Sequence, residues 1–162
     1  MKKTFSILFV CTGNSCRSPL AEIMMKSALR EAGLKKVYVS SAGTAAFDGG
    51  RASEGSVFAA RHLGLSLAGF TSRSLTQRRV RRADLILTMG PAQRDEITQR
   101  WPDVSDRTFV ICDYTRSSRR RIADPVGHPP EVYVECAREL GDEIMKVLPR
   151  VKRALKARRR KG

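Results

Sequence analysis

The sequence predicts an α/β fold, a three-layer sandwich in which a four-stranded parallel sheet carries helices on both faces. Three observations lead there. Short apolar runs of strand-forming residues alternate with stretches of helical periodicity along the whole chain. The 162 residues suit one domain, since a chain of this size buries roughly 70% of its unfolded surface. No internal repeat appears, and no apolar run approaches the ~20 residues of a membrane span.

Taken in order, residues 5–10 (FSILFV) form the first strand. A helix follows from about residue 18 to residue 32, with Leu20, Ile23, Met24 and Ala28 on one face and Gly33 as its stop. Residues 37–41 read as the second strand. Ser53 is a good N-cap for a helix ending near Leu63, stopped by Gly64. A long connection over 65–76 leads through a short helical stretch into the apolar third strand at 83–89, which a helix at 91–100 follows. Residues 109–112 form the last strand, and a second long connection, 113–130, carries Asp124 and Pro125. An amphipathic helix then runs from about 130 to 157, with a bend expected at Pro149. Parallel sheets of this kind bind ligands outside the carboxyl ends of their strands, where the loop at 11–18 falls.

That loop, CTGNSCRS, joins the first strand to the first helix. A helix start leaves backbone N–H groups without partners and carries about half a positive charge. The amides of Thr12, Gly13, Asn14, Ser15, Cys16 and Ser18 can therefore converge on an anion, and Gly13 and Asn14 tolerate the left-handed conformations such a nest requires. A GxxxxGK[ST] loop would begin with glycine and end near a lysine; this one begins with the thiol of Cys11 and ends with the guanidinium of Arg17. Amide dipoles, Arg17 and the helix start all favour a thiolate, which makes Cys11 the candidate nucleophile. Arg17 can give two parallel hydrogen bonds to a phosphoryl group and match its charge during transfer. The plainer alternative is a buried strand-end cysteine before a Ser-Pro helix start. The leaving group of a phosphate ester needs a proton, and Asp124, restricted to extended conformations by Pro125, is the candidate donor. A turn aspartate is the plainer reading of that dipeptide.

CTGNSCRSPLAE resembles the signature loop of the low-molecular-weight protein tyrosine phosphatase family. SAGT at 41–44, ADLILTM at 83–89 and ADPVG at 123–127 follow in that family's order and spacing. Its fold relatives include protein arginine phosphatases and thioredoxin-coupled arsenate reductases. The resemblance implies one phosphatase domain over residues 1–157 with a basic tail at 158–162, a phosphotyrosine protein phosphatase I-like fold, no metal and no cofactor. It implies hydrolysis of phosphotyrosine on a protein substrate through a phosphocysteine on Cys11, with Arg17 holding the phosphoryl group and Asp124 acting as general acid and then base. Asn14, Ser18 and Ser41 resemble the family's polar network that braces the loop, although a local turn bond would explain Ser41 equally well. Where relatives carry a histidine after the second helix, this chain has Gly69 and Phe70, and His62 comes too early. The network is therefore expected to be smaller, or completed by water. Cys16 matches the family's second loop cysteine, implying a reversible disulfide that protects Cys11; a filler thiol is the alternative.

The resemblance draws the substrate pocket from Ser15, Phe47 and Val126. Family members often flank phosphotyrosine with aromatic residues, one directly after the Asp-Pro pair and one in the loop after SAGT. Phe47 fits the second place; Val126, Gly127 and His128 occupy the first, which leaves a wall missing or supplied by Tyr133. Ser15 stands where many tyrosine-specific members have a bulky aliphatic residue and resembles the corresponding threonine of the arginine phosphatases, so a protein arginine phosphatase is the alternative. Arsenate reduction would need two more cysteines just after residues 83–89, where Met89, Gly90 and Pro91 stand. A module that only docked phosphorylated ligands would need neither Cys11 nor Asp124.

The 31 basic and 16 acidic residues give a net charge of +15, concentrated at 78–82, 116–121 and 150–162. Such patches attract acidic or anionic partners. Without interleaved aromatic residues or a nucleic-acid motif, nucleic acid is not an expected partner, and a solvated helix end accounts for the C-terminal run. The run at 116–121 leads into Asp124 and is expected near the pocket mouth. The four cysteines lack zinc spacing, and Cys112 and Cys136 read as core residues. The N-terminal apolar run is too short for an export signal, and no membrane insertion is expected. A functional thiol then suits the reducing cytoplasm.

Overall fold

The structure, a computed structural model, describes residues 4–161. Met1, Lys2, Lys3 and Gly162, which the expected domain and tail include, lie outside the described residues. The elements are β1 (Phe5–Cys11), α1 (Arg17–Glu31), β2 (Val37–Gly43), α2 (Glu54–His62), α3 (Gln77–Arg82), β3 (Leu85–Thr88), α4 (Pro91–Arg100), β4 (Thr108–Val110), α5 (Ile111–Tyr114) and α6 (Pro130–Lys161). All strand pairs are parallel, in the order β2-β1-β3-β4.

Why β1 reads as an unbroken apolar run follows from its place in this order. Successive side chains of a strand face opposite ways, and here both ways lead into core. Ile7, Phe9 and Cys11 join a cluster with α1, α2 and α6, whereas Leu8 and Val10 join Val80 of α3 and Ile97 of α4. The sheet is thus covered on both faces, as the alternating pattern requires. After β2 the chain crosses to the other side of β1 to form β3. That reversal opens a crevice at the carboxyl end of β1, and Cys11 ends that strand.

Local signals set the helix boundaries. Ser53 Oγ accepts the Ser56 N–H at 3.2 Å, as an N-cap should. Gly33, at φ +67°, follows the C-cap Ala32 in the left-handed region that ends helices. On α6, Tyr133, Ala137, Leu140, Ile144, Val147 and Val151 alternate spacings of four and three to make one buried stripe.

Three expectations change. The last strand stops at Val110, and Ile111 and Cys112 enter the core from the helical turn α5 instead. A short apolar run does not distinguish the two conformations when either buries it. A 3-10 helix over Pro102–Arg107, with Val104 buried, precedes β4 where no element was expected. Finally, α6 continues as helix through Pro149 to Lys161, past the end expected near 157. Arg158 explains that ordering, because it pairs with Asp84 at 2.7 Å and lies over the Phe5 ring. Among the described residues no helix is long and apolar enough to cross a membrane.

One charge lies inside the α6 interface. Glu143 is fully buried and accepts the Thr115 hydroxyl, with Arg119 Nη1 at 3.2 Å and Lys146 Nζ at 3.5 Å. Burial opposes its ionisation, yet the hydrogen bonds from Thr115 and Ser117, the nearby Lys146 and the bond from Arg119 outweigh it and hold the carboxyl below its ordinary range. A depressed folded-state value stabilises the protein above the unfolded carboxyl's range, near pH 4, and that contribution is lost as pH falls through the folded value. Glu143→Gln should therefore lower the melting temperature clearly at pH 7, and the loss should shrink steadily as the pH is taken below about 4. A loss that does not change with pH would show that the charge is not what matters.

Candidate active site

The loop between β1 and α1 is shaped from outside by its carbonyls. Cys11 O accepts the Thr44 N–H at 3.0 Å, Thr12 O the Ala45 N–H at 2.9 Å, and Ser15 O the Ser53 N–H at 2.8 Å. In a planar trans peptide the next N–H points the opposite way, so the amides of Thr12, Gly13 and Cys16 turn inward. The end of β2 must come close for this to happen. A Cβ on Gly43 would stand 2.5 Å from Thr12 O and 2.8 Å from Asn14 N, both backbone atoms, so only glycine fits there.

Asn14 is the pivot of the loop. Its backbone is left-handed, at φ +49°, a conformation asparagine tolerates better than other side-chain-bearing residues. Its Oδ1 accepts the Arg73 backbone N–H at 2.8 Å, which fixes the orientation of the amide. Nδ2 then donates to Ser18 Oγ at 2.8 Å and to Ser41 Oγ at 3.0 Å. Ser41 passes its own hydrogen to Glu22 Oε2 at 2.5 Å.

These bonds give the chain of hydroxyls a direction. Glu22 takes the Ser41 hydrogen and Asn14 donates to Ser18 Oγ, which leaves the Ser18 hydrogen available to Cys11 Sγ, 2.9 Å away. The Asn14 N–H approaches the same sulfur at 3.2 Å. Two donors aimed at one sulfur suit an anion.

Glu22 itself is buried and balanced by Lys26 at 2.7 Å and Arg73 at 3.7 Å. Sequence reasoning missed both Glu22 and Arg73. A carboxylate and a backbone N–H occupy the two ends of the network. The available signal was a glutamate four residues after Ser18 and four before Lys26, on one helix face. Gln93 was missed too; its Nε2 donates to Thr12 Oγ1 at 3.0 Å and joins the start of α4 to the loop.

Arg17 and Asp124 meet across the crevice. Arg17 is buried, giving Nη1 to the Ile122 carbonyl at 3.1 Å and Nη2 to Asp124 Oδ2 at 3.4 Å. Asp124 Oδ1 accepts the Val126 N–H at 3.1 Å, an Asx turn that steadies the carboxyl on its loop.

The expected pocket walls fare differently. Ser15 is half-buried in the loop. Phe47 is 86% exposed, on the segment whose Thr44 and Ala45 amides cap the loop carbonyls, and Val126 is 60% exposed beside Asp124. Tyr133 is not a wall. It is only 8% exposed and lies flat against α2, where a Cβ on Gly55 would be 2.6 Å from its ring. The arginine run at 116–121 is likewise drawn away in part, since Arg119 binds Asp142 and Glu143 of α6.

Removing the Ser18 hydroxyl tests the direction of this network. A hydrogen bond to a charged group contributes about 1.5–3 kcal/mol, and about 1.4 kcal/mol is a factor of ten. Ser18→Ala should therefore slow iodoacetate alkylation of Cys11 at pH 7 by roughly tenfold or more, read by mass spectrometry of the Cys11 peptide. An unchanged rate would mean that the Ser18 hydrogen is not on the sulfur.

Comparison with known proteins agrees with this geometry. The family model described as low molecular weight phosphotyrosine protein phosphatase matches residues 6–158. A protein-arginine-phosphatase of Bacillus subtilis is 34% identical over 95% of this chain and 99% of its own length. A probable low molecular weight protein-tyrosine-phosphatase, EpsP, of Ralstonia nicotianae is 32% identical over 91% of this chain and 96% of its own. The crystal structure of a YwlE mutant from Bacillus subtilis superposes with a TM-score of 0.87 at 32% identity, covering 92% of this chain and 99% of that one. A cysteine-led loop on a β2-β1-β3-β4 parallel sheet and a family match across nearly the whole chain lead to one conclusion: this chain belongs to the low-molecular-weight protein tyrosine phosphatase family.

Proposed function

We propose that this protein hydrolyses phosphotyrosine on proteins through a phosphocysteine formed on Cys11. The observation that carries the reading is the convergence of the Ser18 hydroxyl and the Asn14 N–H on Cys11 Sγ, with Arg17 bridging from the same loop to Asp124.

In the first step Cys11 Sγ attacks phosphorus, the S–P bond forms and the P–O bond to tyrosine breaks. The inward amides of Thr12, Gly13 and Cys16 bind the equatorial oxygens. Arg17 has five N–H groups, and those not engaged by Ile122 and Asp124 reach the same oxygens. Asp124 protonates the leaving phenolic oxygen. In the second step the carboxylate takes a proton from water, whose oxygen attacks phosphorus. The S–P bond breaks, and Cys11 returns as thiolate beside inorganic phosphate.

A second reading, protein arginine phosphatase with the same steps and a P–N bond cleaved, is favoured by particular features of the pocket. Ser15 is small and polar, Phe47 is the single aromatic residue among the expected walls, and Tyr133 is turned into the core. The Bacillus subtilis relative named above carries that designation. The reducing cytoplasm is the compartment that suits a thiol nucleophile, and the physiological partner is a phosphorylated protein.

Two experiments test the proposal. Cys11→Ser should abolish hydrolysis of a chromogenic aryl phosphate, and Asp124→Ala should slow it at least about a hundredfold with KM little changed. Equal rates in Cys11→Ser would refute the mechanism. Comparison of kcat/KM on matched phosphotyrosine and phosphoarginine peptides should favour phosphotyrosine; a reversed preference establishes the second reading instead.

A further inference from the structure

Cys16 does not stand alone at the start of α1. It is 4% exposed, and Cys136, on the buried stripe of α6, is 6% exposed. The two side chains interact with each other, in the one buried cluster where α1, α2 and α6 meet. Cys136 Sγ also approaches the Ala123 carbonyl at 3.8 Å, one residue before Asp124. Cys136 therefore belongs to the surroundings of the site, and the proposed mechanism uses neither sulfur.

We propose that Cys16 and Cys136 form a redox-active dithiol that receives the oxidising equivalents of a peroxide from Cys11 and returns Cys11 to its thiolate. This rests on Cys11 being the reactive sulfur of the proposed function. The two thiols are already unequal. The hydrogen bond from Cys136 holds Cys16 below its ordinary value against the effect of burial, and the Ser56 hydroxyl and Arg17 add to it while Asp124 opposes. The bond to Cys16, burial and the Cys16 charge push Cys136 up. Cys16 is thus the readier nucleophile, and Cys136 bears the proton.

The steps balance as follows. Hydrogen peroxide takes two electrons from Cys11 Sγ: the O–O bond breaks, an S–OH group forms and hydroxide leaves. Cys16 Sγ attacks the oxidised sulfur, the S–S bond to Cys11 forms, the S–O bond breaks and a second hydroxide leaves. Cys136 Sγ then attacks Cys16 Sγ, making the Cys16–Cys136 bond. Cys11 departs as a thiolate into the donors from Asn14 and Ser18, which favour it as the leaving group. The protons of Cys16 and Cys136 convert the two hydroxides to water. In sum, two thiols and one peroxide become one disulfide and two waters.

The test treats the full chain with one equivalent of hydrogen peroxide, blocks free thiols with iodoacetamide and maps disulfides by mass spectrometry without reduction. The wild type should yield the Cys16–Cys136 linkage with Cys11 still alkylated. Cys136→Val should yield Cys11–Cys16 instead, with alkylation of Cys11 reduced at least tenfold, and should match wild-type turnover before treatment. Cys11→Ser should form little Cys16–Cys136 linkage under the same dose. A wild-type map showing only Cys11–Cys16, or Cys11 driven to sulfinic acid, overturns the relay. So does a Cys16–Cys136 bond that forms equally in Cys11→Ser. If the valine variant does not fold, Cys136→Ser takes its place, and the wild-type map alone still decides. Turnover of the untreated wild type reports separately on the proposed function, so a failure of that reading is distinguishable from a failure of the relay.

Discussion

One left-handed asparagine holds this site together. Forcing an L-residue into that backbone region costs about 1–2 kcal/mol, and Asn14 meets the cost with three side-chain hydrogen bonds to three separate segments. Ser18 belongs to α1, Ser41 to β2 and Arg73 to the connection before α3. If any of these partners moves, the Asn14 N–H loses its aim at Cys11 Sγ. The same constraint explains why Gly43 lies against the loop and why the connection at 65–76, irregular in most of its length, is tied at Ser72, Arg73 and Ser74 by hydrogen bonds.

The direction of the network matters as much as its connectivity. Hydroxyls can donate or accept, so a chain of them carries no polarity of its own. A buried carboxylate at one end supplies it. Glu22 can only accept when ionised, which obliges Ser41 to donate outward and leaves Asn14 to donate to both serines. Taking a carboxylate out of water is costly unless cations accompany it, and Lys26 and Arg73 do so here. Part of the basic excess of this chain is thus committed to structure. Arg158 on Asp84, Arg119 on Glu143 and Arg150 over the Tyr114 ring are further instances.

Much of this was legible in the chain, and for a physical reason. The periodicities of strand and helix, the stops at Gly33 and Gly64 and the cap at Ser53 are local, so a single sequence displays them. The loop was legible because its donors, its cysteine and its arginine lie within eight consecutive positions. What the sequence did not display are pairings between distant residues. Arg73 is 59 positions from Asn14, and Gln93 is 81 from Thr12. The neighbour of Cys16 is Cys136, which reads by itself as one more apolar residue on a helix face. Tyr133 failed as a pocket wall for the same reason: an aromatic near the acid loop reads as accessible, but the absence of a side chain at Gly55 opens a slot that takes the ring inward.

Arg17 carries the remaining long-range link, and it constrains how substrate and acid communicate. Its guanidinium grips the Ile122 carbonyl and the Asp124 carboxylate from 105 and 107 residues away. A planar fork of five donors can serve a phosphoryl group and the acid loop together, whereas a lysine ammonium, a single point charge, could satisfy one direction at a time. In the proposed mechanism, holding the Asp124 loop through the residue that binds the phosphoryl group puts the carboxyl in register with the leaving atom only when both ends are engaged. The Asx turn to Val126 steadies the far side of that carboxyl. The Asp124 carboxyl is therefore held by an arginine of the β1–α1 loop itself, which ties the two parts of the proposed site together.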